Sequence, residues 1–141
     1  MDPIRLLGMR TSPLRVDEVC QAVADPASGG AALFLGTVRD VDHGRAVVEL
    51  EYSAHPSAEE ELRAIATAVI AQYPVRALAA LHRVGALSIG ELSVVVAVAC
   101  PHRTEAYAAC QRFVEELKGS VPIWKRQRFA AGEHEWVGLD C

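Results

Sequence analysis

Apolar residues recur along this chain with two periods, and the switches between them mark out the elements. Val16, Val19, Cys20 and Val23 follow i, i+3, i+4, i+7 spacing, which predicts a helix over Val16–Ala24 with Cys20 on its buried face. The clearest helix begins at Pro56-Ser57, where Ser57 and Glu60 form a capping-box pattern. Its stripe is Leu62, Ile65, Ala66, Val69, Ile70 and Tyr73, and Pro74 ends it. A third helix runs from about Thr104 to Lys118 with Ala106, Cys110, Phe113 and Leu117 on its buried face. Gly119 is expected to stop it in the left-handed conformation.

Strand patterns fill the intervals. Ile4–Arg10 reads as a short edge strand. Ala31–Val38, AALFLGTV, reads as a buried strand, and its Gly36 suggests a bulge or a close backbone approach. Asp42-His43-Gly44-Arg45 is a turn signal. It is expected to join that strand in a hairpin to Ala46–Tyr52, with Ala46, Val48, Leu50 and Tyr52 on the inner face and Glu49 and Glu51 outside. Ala77–Val84 and Leu92–Ala99 follow, and LSVVVAVA is apolar and β-branched enough for a central position in the sheet. Val121–Phe129 and a short strand near Glu135–Leu139 close the chain. The order β-α-β-β-α-β-β-α-β-β predicts one α+β domain over residues 1–141 with a mainly antiparallel sheet.

Composition narrows the class of function. At 141 residues with 51% hydrophobic and 23% charged content, the chain is of single-domain size and can bury a core. Its net charge of −4 argues against a general nucleic-acid binder. No apolar run approaches the ~20 residues of a membrane span, and the N-terminal stretch lacks the apolar core of a signal peptide. Cys20, Cys100, Cys110 and Cys141 show no CxxC pairing and read as reduced thiols of a cytoplasmic protein.

Against this acidic background the positive charge is segregated. Lys118, Lys125, Arg126 and Arg128 fall within one stretch that holds no acid. Arg39 follows one strand and His102-Arg103 follow another, where scaffolds place functional groups. Arg39 and Arg103 are suited to grip a phosphate by two hydrogen bonds each, and His102 to donate to an anion or move a proton. The residues thus suggest a local pocket for a small anionic ligand. No HxH, HExxH or CxxC spacing supports a metal. Cys100 beside His102 raises a thiol nucleophile, against which stands its place at the end of an apolar strand. Trp124 and Trp136 read as packing residues rather than a nucleic-acid platform.

The segments LFLGTVRD (Leu33–Asp40), LEY (Leu50–Tyr52), HRVGALSIGE (His82–Glu91), PHRTEAY (Pro101–Tyr107) and LKGSVPIWK (Leu117–Lys125) together resemble the catalytic, large subunit of molybdopterin synthase. The resemblance implies an α/β hammerhead-type fold and a homodimer within a heterotetramer. It implies a small ubiquitin-like partner subunit whose C-terminal Gly-Gly carries a thiocarboxylate. The implied reaction transfers sulfur to cyclic pyranopterin monophosphate, forming the dithiolene of molybdopterin, with no cofactor and no metal. Lys118 and Lys125 would be catalytic, and with Arg39, His102 and Arg103 would bind the substrate. The chain departs from the family at His55, where an aromatic residue is common, and beyond Trp136, where it holds no Arg or Lys. The competing readings are a non-catalytic anion- or partner-binding module on the same fold and a cysteine-dependent transferase using Cys100.

Overall fold

The computed structural model describes residues 2–137, with the side chain of Val137 outside the description. Its elements run β1 (Ile4–Arg10), α1 (Val16–Ala22), β2 (Gly30–Thr37), β3 (Val41–Asp42), β4 (Arg45–Ala54), α2 (Ala58–Gln72), β5 (Ala77–Arg83), β6 (Gly85–Leu87), β7 (Leu92–Cys100), α3 (Arg103–Ser120), β8 (Ile123–Phe129) and β9 (His134–Val137). The α+β class holds, but the strands form two sheets where the pattern suggested one. The first has the order β1-β5-β7-β2, and the second β3-β4-β8-β9 with β6 beside β4. All pairings are antiparallel except β1 with β5.

Alternation along the two inner strands sorts the core into layers. Leu78, Ala80, Val94, Val96, Val98 and Cys100 point to one face, where α2 and α3 cover them. Ala77, Ala79, Leu81, Val95, Ala97 and Ala99 point to the other, where Val19 of α1 and Val23 just after it close the layer. Both strands are therefore buried on both faces, which is why they read as continuous apolar runs. α3 seats Ala106, Ala109, Cys110, Phe113 and Leu117 in the first layer. Because α3 runs back along β7, its two ends overlie opposite ends of the sheet.

Several expectations are corrected. β2 lies at the sheet edge, with Leu33 45% and Leu35 44% exposed, since α1 does not extend over it. It does not form the hairpin with β4. The two-residue turn at His43 (φ 50) and Gly44 (φ 75) joins β4 to the short β3 instead, with positive φ at both central positions as a type I′ turn requires. A register shift between Val47 and Glu49 reverses the alternation of β4. Val47 and Leu50 are buried, while Ala46 and Val48 face out. Cys20 is exposed rather than buried. The Ser57–Glu60 capping box is not made. Ser57 N–H and Oγ both meet His55 Nδ1, at 3.1 and 2.9 Å, so the Ser57 side chain turns back to His55 and gives α2 no cap hydrogen bond. Trp136 is 62% exposed with the Arg126 guanidinium 6.0 Å from its ring, and Trp124 is 37% exposed, so neither belongs to the core. Leu139 and Cys141 lie outside the described residues.

The correction that bears most on function is at Gly119. The helix passes through it, its φ lies outside the left-handed region, and Val121 N–H still reaches Leu117 O at 3.2 Å. Pro122 ends the helix instead, having no N–H to give. Gly36 behaves as expected of a strand glycine. The β2–β7 register shifts there, and a Cβ would lie 2.5 Å from Val94 Cγ1.

Two glycine substitutions should therefore move stability in opposite directions. A Cβ at Gly119 meets nothing within 4 Å, so Gly119→Ala should stabilise by about 0.5–1 kcal/mol. Gly36→Ala should cost about 1–3 kcal/mol, because buried Val94 cannot yield. Urea denaturation of both variants checks the pair, and a destabilised Gly119→Ala would contradict the helical placement.

Candidate active site

The functional groups arrive on three elements that meet at one end of the first sheet. α3 carries Lys118 in its last turn, exposed, where a cation also suits the helix C-terminus. β8 carries Lys125, half-buried, opposite Tyr52 of β4. The segment after β2 carries Arg39. Lys118 and Lys125 are the chain's whole lysine complement; every other fixed cation is an arginine. That contrast was available in the sequence and singles out the positions where the side chain can release a proton, which arginine does not do.

Asp42 organises the side of the site nearest Lys125. Its carboxyl is held below the ordinary carboxylate range, first by Gln127 Nε2 donating at 2.8 Å, against burial, and then by His43, Lys125 and Arg39. Arg39 stands 3.6 Å from Asp42 with most of its side chain in solvent. Gln127 is buried, one step along the same face of β8 from Lys125. Asp42 and Gln127 were not picked out by sequence reasoning, because a turn aspartate and a strand glutamine carry no motif.

His82 stands near the end of β5, beside Tyr52 of β4. It lies on the α2–α3 face of β5, 5% exposed, and its Nδ1 sits 2.7 Å from Arg83 O. Its ring meets that of Tyr52 edge-on, with centroids 4.9 Å apart at 86°. Burial pushes its pKa down to about 4; the Arg83 carbonyl opposes this and nearby Lys118 adds to it. His82 is therefore a neutral imidazole at physiological pH, and Tyr52 bridges from it to the strand position opposite Lys125. The next residue, Arg83, is buried and pairs with Glu91, whose Oε1 accepts from Ser88 N–H at 3.2 Å. Glu91 O in turn accepts from Val38 N–H at 3.1 Å, so this pair fixes the backbone that leads into Arg39.

Within one chain His102 and Arg103 are elsewhere. They stand exposed at the start of α3 beside Gly30, where a Cβ on Gly30 would come 3.3 Å from Arg103 Cα. Arg103 and Lys118 stand fifteen positions apart on α3, about 22 Å along the axis. A small cavity of ≈ 150 Å³ lies at this end, lined in part by Gly30, Arg103 and Tyr107. A larger apolar groove of ≈ 350 Å³ runs between β2 and α3, with Leu33, Phe34, Tyr107 and Val114 on its walls. Cys100 is fully buried, and burial followed by Glu105 raises its thiol pKa. Cys110 is pushed up to about 11 by burial. Neither is placed to act as a thiolate nucleophile. Among the described residues no three His, Cys, Asp or Glu side chains are grouped to hold a metal, and no helix is long and apolar enough to cross a membrane.

Two lysines and an arginine on an α+β scaffold, with a buried neutral imidazole and a partly covered carboxylate among them, are groups of the kind that suit an anionic ligand. The comparisons with known proteins say which such scaffold this is. A sequence model described as MoaE protein matches residues 9–120, and the chain belongs to that family. It is 38% identical over 130 residues to the molybdopterin synthase catalytic subunit of Nostoc sp., covering 91% of this chain and 79% of that protein. Against the Bos taurus protein of the same name it is 37% identical, covering 93% and 70%. The crystal structure of molybdopterin synthase from Staphylococcus aureus superposes with a TM-score of 0.88 at 30% identity, covering 94% of this chain and 96% of that one. The MoaE protein of Burkholderia ambifaria gives a TM-score of 0.82 at 30% identity, over 100% and 92%.

The buried imidazole makes stability depend on pH. His82 titrates at about 4 in the folded state against an ordinary 6.5, so below 6.5 the unfolded chain takes up a proton that the folded chain refuses. Stability from this residue is therefore lost as pH falls from about 6.5 to 4, by up to about 3 kcal/mol. Denaturation midpoints of the wild type and His82→Phe across that range check this. The variant should show the flatter dependence, and parallel curves would contradict the buried neutral ring.

Proposed function

We propose that this chain is the catalytic subunit of a molybdopterin synthase, transferring sulfur from a thiocarboxylated small subunit to cyclic pyranopterin monophosphate. The observation that supports the reading is that Lys125, opposite Tyr52, and Arg39 both act on Asp42 in a MoaE-family fold, while Lys118 acts on His82, whose ring Tyr52 meets edge-on. The partner's flexible Gly-Gly tail reaches this end of the sheet. The thiocarboxylate sulfur bonds to a pterin side-chain carbon as that carbon's bond to oxygen breaks, and water then cleaves the acyl–sulfur bond to release the tail as a carboxylate, charge building on the acyl oxygen in this second step. Lys118 stabilises that charge, and Lys125 holds the tail or the substrate beside it. Sulfur arrives on the partner, so the buried Cys100 and Cys110 are not required. We place the reaction in the cytoplasm.

The separated His102 and Arg103 fit this reading through a homodimer. β2 runs from Gly30, beside Arg103, to Thr37, two residues short of Arg39, and spans about 25 Å. Among the described residues it pairs with β7 alone, so its outer edge is open next to the apolar groove. A two-fold axis across the middle of β2 sets the strands antiparallel. The partner protomer's Arg103 end then lies against Arg39. Arg39 from one protomer and His102 with Arg103 from the other grip the substrate phosphate. Each protomer binds one small subunit, giving a heterotetramer.

Lys118→Ala should lower single-turnover dithiolene formation by about a hundredfold to a thousandfold with little change in partner affinity. Lys118→Arg should rescue poorly, because a guanidinium is wider and keeps its proton. Wild-type rates in Lys118→Ala would refute the assignment, and a wild type that binds its partner but never turns over would favour a non-catalytic module.

The shared site has its own test. Lys118→Ala and Arg103→Ala protomers, each impaired alone, should regain activity when unfolded together and refolded as mixed dimers. Random pairing makes about half the dimers mixed, each with one intact site, so about a quarter of wild-type activity should return. No recovery from mixed dimers of confirmed composition would place Arg103 and Lys118 in the same protomer's site.

A further inference from the structure

We propose that Glu91 is a positioning residue for the phosphate grip: locked by the buried Arg83 guanidinium, it fixes the backbone from which Arg39 projects and so sets how tightly the substrate phosphate is held. The motif HRVGALSIGE holds Arg83 in its second place and Glu91 in its last, and no step of the proposed reaction employs either. The inference rests on the reading of Arg39 as a substrate-binding residue, while the anchor itself consists of hydrogen bonds within this chain.

Arg39 poses a problem of order. Its side chain is 74% exposed and stands 3.6 Å from Asp42, a contact too loose and too wet to fix it. A long solvated side chain loses rotamer freedom when it grips a ligand, so affinity depends on what is ordered beforehand. Here the backbone is ordered on both sides. Val38 is 4% exposed; its N–H donates to Glu91 O at 3.1 Å, and its carbonyl accepts from Gly90 N–H at 2.8 Å. On the far side Asp40 O accepts from Val47 N–H at 2.8 Å. Arg39 is the middle residue of a three-residue span tied at both ends.

Val38 is only as fixed as the turn it binds, and that turn closes on Glu91. Glu91 Oε1 accepts from Ser88 N–H at 3.2 Å, and Glu91 N–H donates to Ser88 O at 3.1 Å. Glu91 Oε2 accepts from Arg83 Nη1. Arg83 Nη2 also reaches Ala86 O at 3.4 Å, so one guanidinium ties both β6 and the turn to the end of β5. Gly90, with φ 85, allows the turn to bend back to Val38. A turn between strands is ordinarily among the looser parts of a fold. This one is held from inside, because Arg83 is 5% exposed and a charge so covered requires its carboxylate in place. What separates positioning from plain stability is where the effect falls. A positioning pair acts on substrate affinity, and only while Arg39 is present.

A double-mutant cycle reads that difference. Removing one partner strands a buried charge, so the pair is replaced together, Arg83→Met with Glu91→Leu, by apolar groups of similar bulk. With saturating thiocarboxylated partner and varied substrate, the apparent KM should rise about tenfold and kcat should hold steady. In an Arg39→Ala background the same two changes should add less than about twofold, because the residue they position is gone. Effects that multiply in full, or a fall in kcat at unchanged KM, would overturn the proposal. Should the double variant not fold, Glu91→Gln, which leaves one side-chain oxygen for two donors, enters the same cycle with an expected rise of about threefold. Amide hydrogen exchange separates the anchor from the function, since it needs no reaction. In the folded variant the Val38 and Gly90 amides should exchange about tenfold faster while Val96 of β7 is unchanged. Unaltered protection at Val38 would overturn the proposal, whereas loosened amides together with a wild type that forms no dithiolene would count against the functional reading alone.

Discussion

The seating of α3 on the four-stranded sheet is the constraint on which the rest depends. Five side chains, Ala106, Ala109, Cys110, Phe113 and Leu117, fix the rotation and the ends of this helix against β7 and β2. Burial of such a stripe is worth roughly 1.5–3 kcal/mol for each large residue, far more than any surface ion pair near the site. Once α3 is seated, Lys118 overlies the His82 end of the sheet and Arg103 the Gly30 end. The chemistry at each end is set by packing in the middle.

The second sheet completes the arrangement by carrying charge to the first. β4 and β8 pair along most of their length, which sets Tyr52 opposite Lys125 and leads Tyr52 to the His82 ring. Asp42, at the end of the I′ hairpin, is stabilised in its ionised form by Gln127 and by three cationic or ionisable neighbours. The site thus has one lysine beside a carboxylate and one beside a neutral imidazole. Environments that separate two like groups in this way are how proteins give them different roles.

Much of this was legible in the residues and some was not. The stripes of α2 and α3, the central position of LSVVVAVA and the bulge at Gly36 follow from local periodicity and sterics, and they appear as read, whereas the α1 stripe leaves Cys20 exposed. The partner of β4 did not follow, because register shifts and sheet membership depend on contacts remote in sequence. Gly119 misled for a related reason. Glycine permits a left-handed stop without requiring one, and Pro122 supplies the stop three residues later. His55 had no capping signature, yet its ring nitrogen accepts the Ser57 N–H that Glu60 was expected to take. At the site, Lys118, Lys125 and Arg39 could be named from segregated charge. Asp42, Gln127 and His82 could not, because only the fold reveals which polar residues are buried beside them.

The central claim is that this fold passes sulfur from a partner's acyl tail to a phosphorylated pterin without a thiol of its own. The most direct measurement supplies the protein with small subunit carrying an isotopically labelled thiocarboxylate, together with cyclic pyranopterin monophosphate, and follows the label into the product by mass spectrometry. The account predicts a dithiolene in which both sulfurs carry the label. A dithiolene with unlabelled sulfur, or no dithiolene from a complex shown to be assembled, would contradict it.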